Sequence, residues 1–296
     1  MKVLVSGSTG LVGSALVQDL ARAGHRVLRL VRTPPQSVDE VHWDATAGRL
    51  DVAKLSDVDA VVHLAGESIA EGRWSPAKKA RIRDSRVVGT SFLAESLAKL
   101  PQRPKSLVCA SAVGYYGDRG SEVLREDSAP GTGFLADVCR AWEAAADPAR
   151  AAGIRVVHLR IGVVLARKGG ALAKMLPPFR WGLGGPLGPG TQYMSWITLD
   201  DLVAILRRAS EDATYTGPIN AVAPEAVTNA QFARVMGKVL RRPAFLPAPA
   251  AAIRLLLGEM ADALLLASAR VEPARLITLG YRFAFPSLEG ALRHLV

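Results

Sequence analysis

The feature that most constrains this chain is a set of three glycines between its first strand and its first helix. KVLVSG has the apolar, β-branched character of a strand, and SALVQDLARAG has apolar residues at helical spacing. Glycines between two such elements let backbone N–H groups approach a pyrophosphate at a helix N-terminus, where the helix dipole favours negative charge. We therefore predict a dinucleotide site rather than a merely structural turn. Its residues are Gly7, Ser8, Thr9, Gly10, Leu11, Val12 and Gly13.

The rest of the chain predicts the fold class. Short β-branched runs alternate with helical patterns as far as Gly162, which is typical of a parallel sheet with right-handed crossovers and helices on both faces. Beyond it, PPFRWGLGGPLGPGTQYMSW has no period and predicts a long loop, and the chain is mostly helical from Glu225 onward. We predict an α/β fold with two parts. Residues 1–166 and 195–222 form a doubly wound parallel (Rossmann) sheet that binds NADP, and residues 167–194 and 223–296 form a lid loop and a smaller, mainly helical C-terminal substrate or interaction domain.

The end of the second predicted strand bears on the choice of cofactor. A carboxylate there would bind the ribose 2′-hydroxyl of NAD, whereas an arginine accommodates the 2′-phosphate of NADP. The strand HRVLRLVR ends on Arg32, and the next acid is Asp39. A guanidinium can pair with a phosphate through two parallel hydrogen bonds, which favours this role over that of one more solvated arginine. We predict NADP (NADPH) as the cofactor.

Two further segments are expected to lie along the cofactor. Asp44, just after the third predicted strand, could contact the adenine, and an exposed loop carboxylate explains it equally well. The fourth predicted strand, DAVVHLAG, ends in small residues where a ribose would pass close to the backbone. From this segment we predict contacts with Leu64, Ala65 and Gly66.

Composition narrows the possible partners. The net charge is +10, but the basic residues are scattered and no nucleic-acid recognition motif accompanies them. We expect a polar or anionic small-molecule substrate and no nucleic acid. Cys109 and Cys139 form no CxxC pair, so we expect neither a disulfide framework nor a metal site. Charges interrupt the longest apolar tract and no signal segment is visible, so we expect a cytoplasmic protein that does not enter a membrane, with a homodimer as one option.

Several stretches carry a resemblance to a known family. GSTGLVG, HLAG and SAVGYYG resemble the short-chain dehydrogenase/reductase superfamily in its extended, epimerase-like form. RWSPAKKARIRDSR, FLADVCRAWE and PINAVAPEAVTNAQFARVMGKVLRRP resemble its atypical "epimerase family" branch, which has a C-terminal extension of its own. The resemblance spans nearly the whole chain. It implies an NADP-binding Rossmann fold and oxidoreductase or epimerase activity on an undefined substrate.

The resemblance also implies a catalytic pair that this chain does not supply. In the superfamily a tyrosine and a lysine four residues later share one helix face, and the lysine lowers the tyrosine pKa so that the phenol can transfer a proton. One alignment of GFLADVCRAWE puts Phe134 and Val138 at the two positions, and another puts Leu135 and Cys139 there. Neither contains the pair. The alternative function is therefore a catalytically inactive NADP-binding sensor that acts through a partner.

Three polar residues remain near the end of the strand KSLVCASA, namely Ser111, Tyr115 and Tyr116. In extended relatives a serine and a Tyr-Gly step lie here beside the nicotinamide, so the resemblance implies that Ser111 polarises a carbonyl. It also implies that Tyr116 lines the pocket or acts as an acid. The alternative is that both tyrosines only pack beneath the cofactor. Glu126 and Glu143, in the following loop and helix, are expected to be surface or capping groups.

The glycine-rich segment after the α/β part offers groups for a substrate. Its glycines would let it move as a lid, although a rigid structural loop is nearly as good an interpretation. The residues that we predict to contact a substrate are Arg73, Arg180, Trp181 and Gln192.

Overall fold

A computed structural model describes residues 1–296. Its strands are β1 (Lys2–Ser6), β2 (Arg26–Val31), β3 (Glu40–Asp44), β4 (Arg49–Leu50), β5 (Ala60–His63), β6 (Ser106–Ala112), β7 (Val123–Leu124), β8 (Arg155–Ile161), β9 (Val163–Leu165), β10 (Tyr193–Met194), β11 (Trp196–Thr198), β12 (Gly217–Ala221), β13 (Val227–Thr228) and β14 (Arg270–Val271). Its helices are α1 (Leu11–Arg22), α2 (Pro76–Ala98), α3 (Phe134–Ala144), α4 (Asp147–Ala151), α5 (Gly170–Arg180), α6 (Leu199–Glu211), α7 (Asn229–Leu240), α8 (Ala250–Leu257), α9 (Glu259–Ala261), α10 (Ala274–Thr278) and α11 (Leu288–Leu295).

The main sheet confirms the predicted fold class. Its eight strands lie in the order β12-β8-β6-β5-β1-β2-β3-β4, and every pair is parallel except β3 with β4. The strand order reverses between β1 and β5, so their carboxyl ends diverge there into a crevice of the kind in which doubly wound folds bind ligands. The glycine turn leaves β1 at this point.

Alternating side chains of the sheet supply two apolar cores. In β1, Val3 and Val5 pack with Leu16 of α1 and Leu206 of α6, whereas Leu4 points into the opposite layer. Strands buried on both faces in this way explain why the sequence shows nearly continuous apolar runs rather than alternation. No helix is both long enough and apolar enough to span a membrane.

A third core lies outside the sheet. It joins α5, α7 and α11 through Leu176, Phe179, Phe232, Met236 and Leu292, among others. A capping box begins α7: Thr228 Oγ1 accepts from the Gln231 N–H at 3.2 Å, and Gln231 Oε1 accepts from the Thr228 N–H at 2.7 Å. This core groups the segment after β9 with the C-terminal helices.

The glycine-rich segment is more ordered than the sequence predicts. Pro177 and Pro178 lie inside the last turns of α5, although proline usually ends a helix. The segment that follows is held against residues 246–248: a Cβ built on Gly185 would stand 1.9 Å from the Leu246 carbonyl oxygen, and the Gly188 N–H donates to the Ala248 carbonyl at 2.8 Å. Its glycines allow close backbone packing, which favours the rigid-loop interpretation over a lid.

The C-terminal part is not a single separate body. Gly258, with φ 62°, ends α8 and separates it from α9, so the longest apolar tract of the sequence is not one continuous helix. Farther on, β14 pairs with β7, and Leu276 and Tyr281 join the core of the main sheet. We propose that the two-domain division holds with one change: residues 270–283 belong with the nucleotide-binding part, against which they pack.

Candidate active site

The glycine turn has the geometry of a phosphate-binding loop. Gly7 has φ 66°, and a Cβ built on it would stand 2.8 Å from the Leu64 carbonyl carbon. A Cβ on Gly13 would stand only 2.1 Å from the Gly7 carbonyl oxygen. The Gly10 N–H donates to that same oxygen at 3.0 Å, and Gly10 is the N-cap of α1. The turn is therefore tight because it lacks side chains, and it leads directly into the N-terminus of α1, as a pyrophosphate site requires.

Ser6, which the sequence analysis did not single out, ties this turn to the end of β5. Its Oγ accepts from the N–H groups of Leu64 at 3.0 Å and Ala65 at 3.2 Å, and lies 2.7 Å from His63 Nδ1. Burial lowers the pKa of His63 to about 4, so its ring is neutral near pH 7 and Nδ1 can accept the Ser6 proton. The predicted segment of Leu64, Ala65 and Gly66 is thus fixed against the glycine turn.

The two residues chosen for the adenosine half differ in their surroundings. Arg32 directly follows β2, is exposed and makes no ion pair within the chain, so its guanidinium is available to a ligand. Asp44, at the end of β3, accepts from the N–H groups of Thr46 at 2.9 Å and Ala47 at 3.0 Å. Those backbone bonds, that of Ala47 above all, lower its pKa. Turn formation by itself explains Asp44, and its contact with the adenine stays a prediction.

Ser111 lies in a buried charged network at the end of β6. Its Oγ donates to Glu143 Oε1 at 2.7 Å. Arg160 of β8 pairs with both oxygens of that carboxylate, through Nε at 2.9 Å and Nη2 at 3.0 Å. Burial acts to lower the pKa of Arg160, but the hydrogen bonds and charge interactions with Glu143 and Tyr116 together outweigh burial and hold that pKa above its usual range. Glu143 is therefore not the surface group that the sequence suggested, because α3 turns it inward onto Ser111.

Tyr116 belongs to the same network. It is fully buried, and its hydroxyl accepts from Arg160 Nη1 at 3.0 Å and lies 2.7 Å from Asn220 Oδ1. Burial, partly offset by Arg160, raises its pKa to about 12. A phenol that is buried, committed to protein partners and reluctant to ionise favours a structural role over proton transfer.

Tyr115 has a different environment. Its ring is half-buried and lies against the Arg160 guanidinium, with 3.5 Å from Cζ to the ring centroid. It also packs edge-on against Tyr116, with centroids 5.3 Å apart. Cation–π contact and packing thus hold the ring beside the Ser111 network. Its hydroxyl makes no hydrogen bond to the protein.

Glu126, also expected at the surface, is buried. Its Oε1 accepts from the backbone N–H groups of Asn220 and Arg275, each at 3.1 Å. Only the fold brings β8, β12 and the loop after β7 together around these groups. One signal was present in the sequence: Arg160, inside the mostly apolar strand VVHLRIG, needs a buried partner.

The structure distinguishes the two alignments of α3. A Cβ built on Gly114, in the turn between Ser111 and Tyr115, would stand 3.4 Å from Leu135 Cβ and 3.9 Å from Cys139 Sγ. Phe134 instead packs on Trp74, with ring centroids 5.3 Å apart. The face of α3 that meets the Ser111 turn therefore carries Leu135, Cys139 and Glu143 at successive helical turns. Burial raises the pKa of the Cys139 thiol to about 12.

The residues predicted to contact a substrate are not brought together. Arg73 donates to the carbonyls of Leu255 and Leu256 at the end of α8. Gln192 is buried, and its amide donates to the Leu187 and Leu265 carbonyls, each at 3.0 Å. Arg180 and Trp181 are exposed at the end of α5. Structural contacts thus account for Arg73 and Gln192, and substrate binding by any of the four stays a prediction.

Family models match most of the chain. The model described as the NAD dependent epimerase/dehydratase family matches residues 3–221, and a domain of unknown function (DUF1731) matches residues 248–295. The Epimerase family protein Mb2239 of Mycobacterium bovis is 45% identical over 98% of this chain and 96% of its own length. Human Epimerase family protein SDR39U1 is 40% identical over the full length of both chains.

Solved structures extend the likeness to three dimensions. The crystal structure of human SDR39U1 (isoform 2) with NADPH superposes with a TM-score of 0.90 at 39% identity, over 100% of this chain and 99% of that one. A nucleoside-diphosphate sugar epimerase from Corynebacterium glutamicum superposes with a TM-score of 0.83 at 40% identity, over 99% of this chain and 57% of that one.

Proposed function

Because the chain belongs to the NAD dependent epimerase/dehydratase family, we propose that it is an NADP-dependent oxidoreductase or epimerase that works without the tyrosine–lysine pair. The observation that carries this proposal is the partly buried carboxylate–serine pair at the end of β6, where Ser111 Oγ donates to Glu143 at 2.7 Å. A sensor that only bound the cofactor would not need a serine and a carboxylate at the position where the resemblance implies the nicotinamide.

The residues of the cleft fit the adenosine half and the pyrophosphate of NADPH. The glycine turn and the N-terminus of α1 would receive the pyrophosphate, and Arg32 would pair with the 2′-phosphate. Bound NADPH supplies a hydride from its nicotinamide ring. NADPH in the crystal structure of the human relative supports this choice of cofactor.

Ser111 and Glu143 offer a route for the proton. Since Ser111 donates its own proton to Glu143, its lone pairs remain to accept from a substrate hydroxyl. When the substrate hydroxyl is oxidised, its proton can pass to Ser111 while Ser111 passes its own proton to Glu143. When a carbonyl is reduced, a proton returns from Glu143 through Ser111 to the substrate oxygen. Arg160 fixes both oxygens of the carboxylate, so the acceptor stays in one orientation. The substrate class remains the one expected from the charge, a polar or anionic small molecule.

Turnover tests this proposal directly. The purified protein is incubated with NADPH and a panel of sugars, nucleoside-diphosphate sugars, aldehydes and quinones, with NADPH absorbance and product analysis as readouts. We expect turnover of at least one class, lost in Ser111→Ala. Tight NADPH binding with no turnover across the panel would favour the sensor. One observation favours that second function, the exposure of Leu255 and Leu256 on α8 at 77% and 71%, which an apolar partner would cover.

Arg32→Ala is expected to change the cofactor preference. A guanidinium–phosphate pair contributes about 1.5–3 kcal/mol, so the Kd for NADPH should rise roughly 10- to 100-fold. The Kd for NADH should change little, because NADH has no 2′-phosphate. Titration calorimetry with both cofactors measures the ratio, with Arg83→Ala, an exposed arginine on α2, as the control. Equal losses for the two cofactors would refute the assignment.

Tyr116→Phe separates packing from proton transfer. Removing the hydroxyl leaves Arg160 Nη1 and Asn220 Oδ1 without one partner each, which should cost about 1–3 kcal/mol in the free energy of unfolding. We expect the rate per folded enzyme to stay within about threefold of wild type, since the relay runs through Ser111. Urea unfolding and steady-state kinetics measure the two quantities. Abolished turnover in a folded variant would make the phenol the acid.

A further inference from the structure

Arg86 of α2 has a fixed position at the carboxyl end of β5. A Cβ built on Gly66 would stand 3.2 Å from Arg86 Cζ, so the guanidinium lies directly against that backbone. Its Nη1 donates to the carbonyls of Glu67 and Ile82, each at 3.0 Å. The Trp142 ring packs on the guanidinium, with 5.1 Å from Cζ to the ring centroid. These contacts orient the group without using all its donors.

No carboxylate neutralises this guanidinium. Glu67 bonds to Lys78 at 2.7 Å and lies 3.6 Å from Arg81 Nε, so that single acid already has two cations. Glu143 is held on both oxygens by Arg160. Burial lowers the pKa of Arg86, and the nearby Cys139 thiol and Glu67 only partly offset it. A mostly buried charge without a counterion is costly, and Arg86 Nη2 and Nε have no partner in the protein.

The location of Arg86 indicates which ligand would supply its missing counterion. It lies beside Gly66, in the segment expected along the cofactor ribose, and near the Cys139 thiol of α3. Cys139 occupies one of the two positions at which α3 would carry the lysine of the superfamily, and it lies on the face of α3 that meets the Ser111 turn. Arg86 of α2 thus lies near the position on α3 where the superfamily has a lysine and this chain has none.

We propose that Arg86 binds the nicotinamide half of the dinucleotide, through the oxygens of its phosphate and ribose, and supplies from α2 the positive charge that α3 lacks. This inference rests on the proposed NADP-dependent function. It assigns Arg86 a role in binding. Without the cofactor, the uncompensated charge of Arg86 destabilises the protein, and the negative charge of the cofactor removes that effect.

Comparing two ligands distinguishes binding at the nicotinamide half of the site from binding at the adenosine half. Titration calorimetry compares NADPH with 2′,5′-ADP, which lacks the nicotinamide, its ribose and the second phosphate. For Arg86→Gln we expect the Kd of NADPH to rise at least tenfold and the Kd of 2′,5′-ADP to stay within twofold of wild type. Arg86→Lys should recover part of the loss, and Arg83→Gln on the same helix should change neither value. Arg32→Ala, in contrast, should weaken both ligands.

Thermal unfolding without ligand provides a second readout. Because Arg86→Gln removes an unpaired charge and keeps an amide donor for the Glu67 carbonyl, its Tm should equal or exceed that of wild type. A large fall in Tm, or a failure to fold, would mark Arg86 as structural and overturn the proposal. Unchanged NADPH affinity, or equal losses for both ligands, would also overturn it. If wild type bound neither ligand, the proposed function itself would fall.

Discussion

Gly13→Ala is expected to abolish NADPH binding. The new Cβ would stand 2.1 Å from the Gly7 carbonyl oxygen, 2.8 Å from the Gly7 carbonyl carbon and 3.0 Å from Ser8 Cα. All three are backbone atoms, so the turn itself must move, and with it the N–H groups that would receive the pyrophosphate. We expect the Kd for NADPH to rise by more than about 100-fold and the free energy of unfolding to fall by roughly 1–3 kcal/mol.

Gly10→Ala is the matched control for the fold. A Cβ on Gly10 would meet only the Gly7 oxygen, at 3.3 Å, and Gly10 has φ −74°, which alanine adopts readily. This variant should unfold at the same urea concentration as wild type, within error. If Gly13→Ala bound NADPH as tightly as wild type does, the glycine turn would not be the phosphate site.

The second large effect is expected where Arg160 meets Glu143. Arg160 is 3% exposed and bidentate to the carboxylate, so Glu143→Leu leaves a buried cation without its partner. Breaking such a pair from one side should cost about 3–5 kcal/mol in the free energy of unfolding. The double variant Glu143→Leu/Arg160→Met removes both charges and should recover much of that loss, because apolar groups of similar volume often replace a buried ion pair well.

Turnover should not recover with stability. The double variant folds without the carboxylate that accepts the Ser111 proton, so NADPH oxidation should remain as low as in Glu143→Leu. Urea unfolding gives the stability of wild type and the two variants, and steady-state kinetics at saturating NADPH gives their rates. A double variant that regained both stability and rate would show that the pair only holds the fold, and the relay through Ser111 would be wrong.

The sequence was most informative where a backbone requirement sets the residue type. Gly7 and Gly13 are needed because the turn leaves no room for a Cβ, and that requirement is visible as a spacing of glycines after a strand. The parallel sheet was equally visible, because strands covered on both faces appear as apolar runs between helices.

The sequence was least informative where side chains from distant segments meet. In the sequence, Glu143 is one more carboxylate on a helix, and only the fold places Arg160 of β8 against it. Likewise, Arg86 is one of several arginines on α2, and only the fold places it against Gly66 and Trp142. The glycines after α5 left a lid and a rigid loop nearly equal as interpretations of the sequence, and only the fold shows Gly185 packed closely against the Leu246 carbonyl.

A crystal structure of this protein with NADPH would test the proposed binding mode. That binding mode has the 2′-phosphate within hydrogen-bonding distance of Arg32, the pyrophosphate on the N–H groups of the glycine turn, and the nicotinamide beside Ser111 with Arg86 on its ribose or phosphate oxygens. A 2′-phosphate bound away from Arg32, or a nicotinamide turned out of the cleft and beyond reach of Ser111, would contradict it.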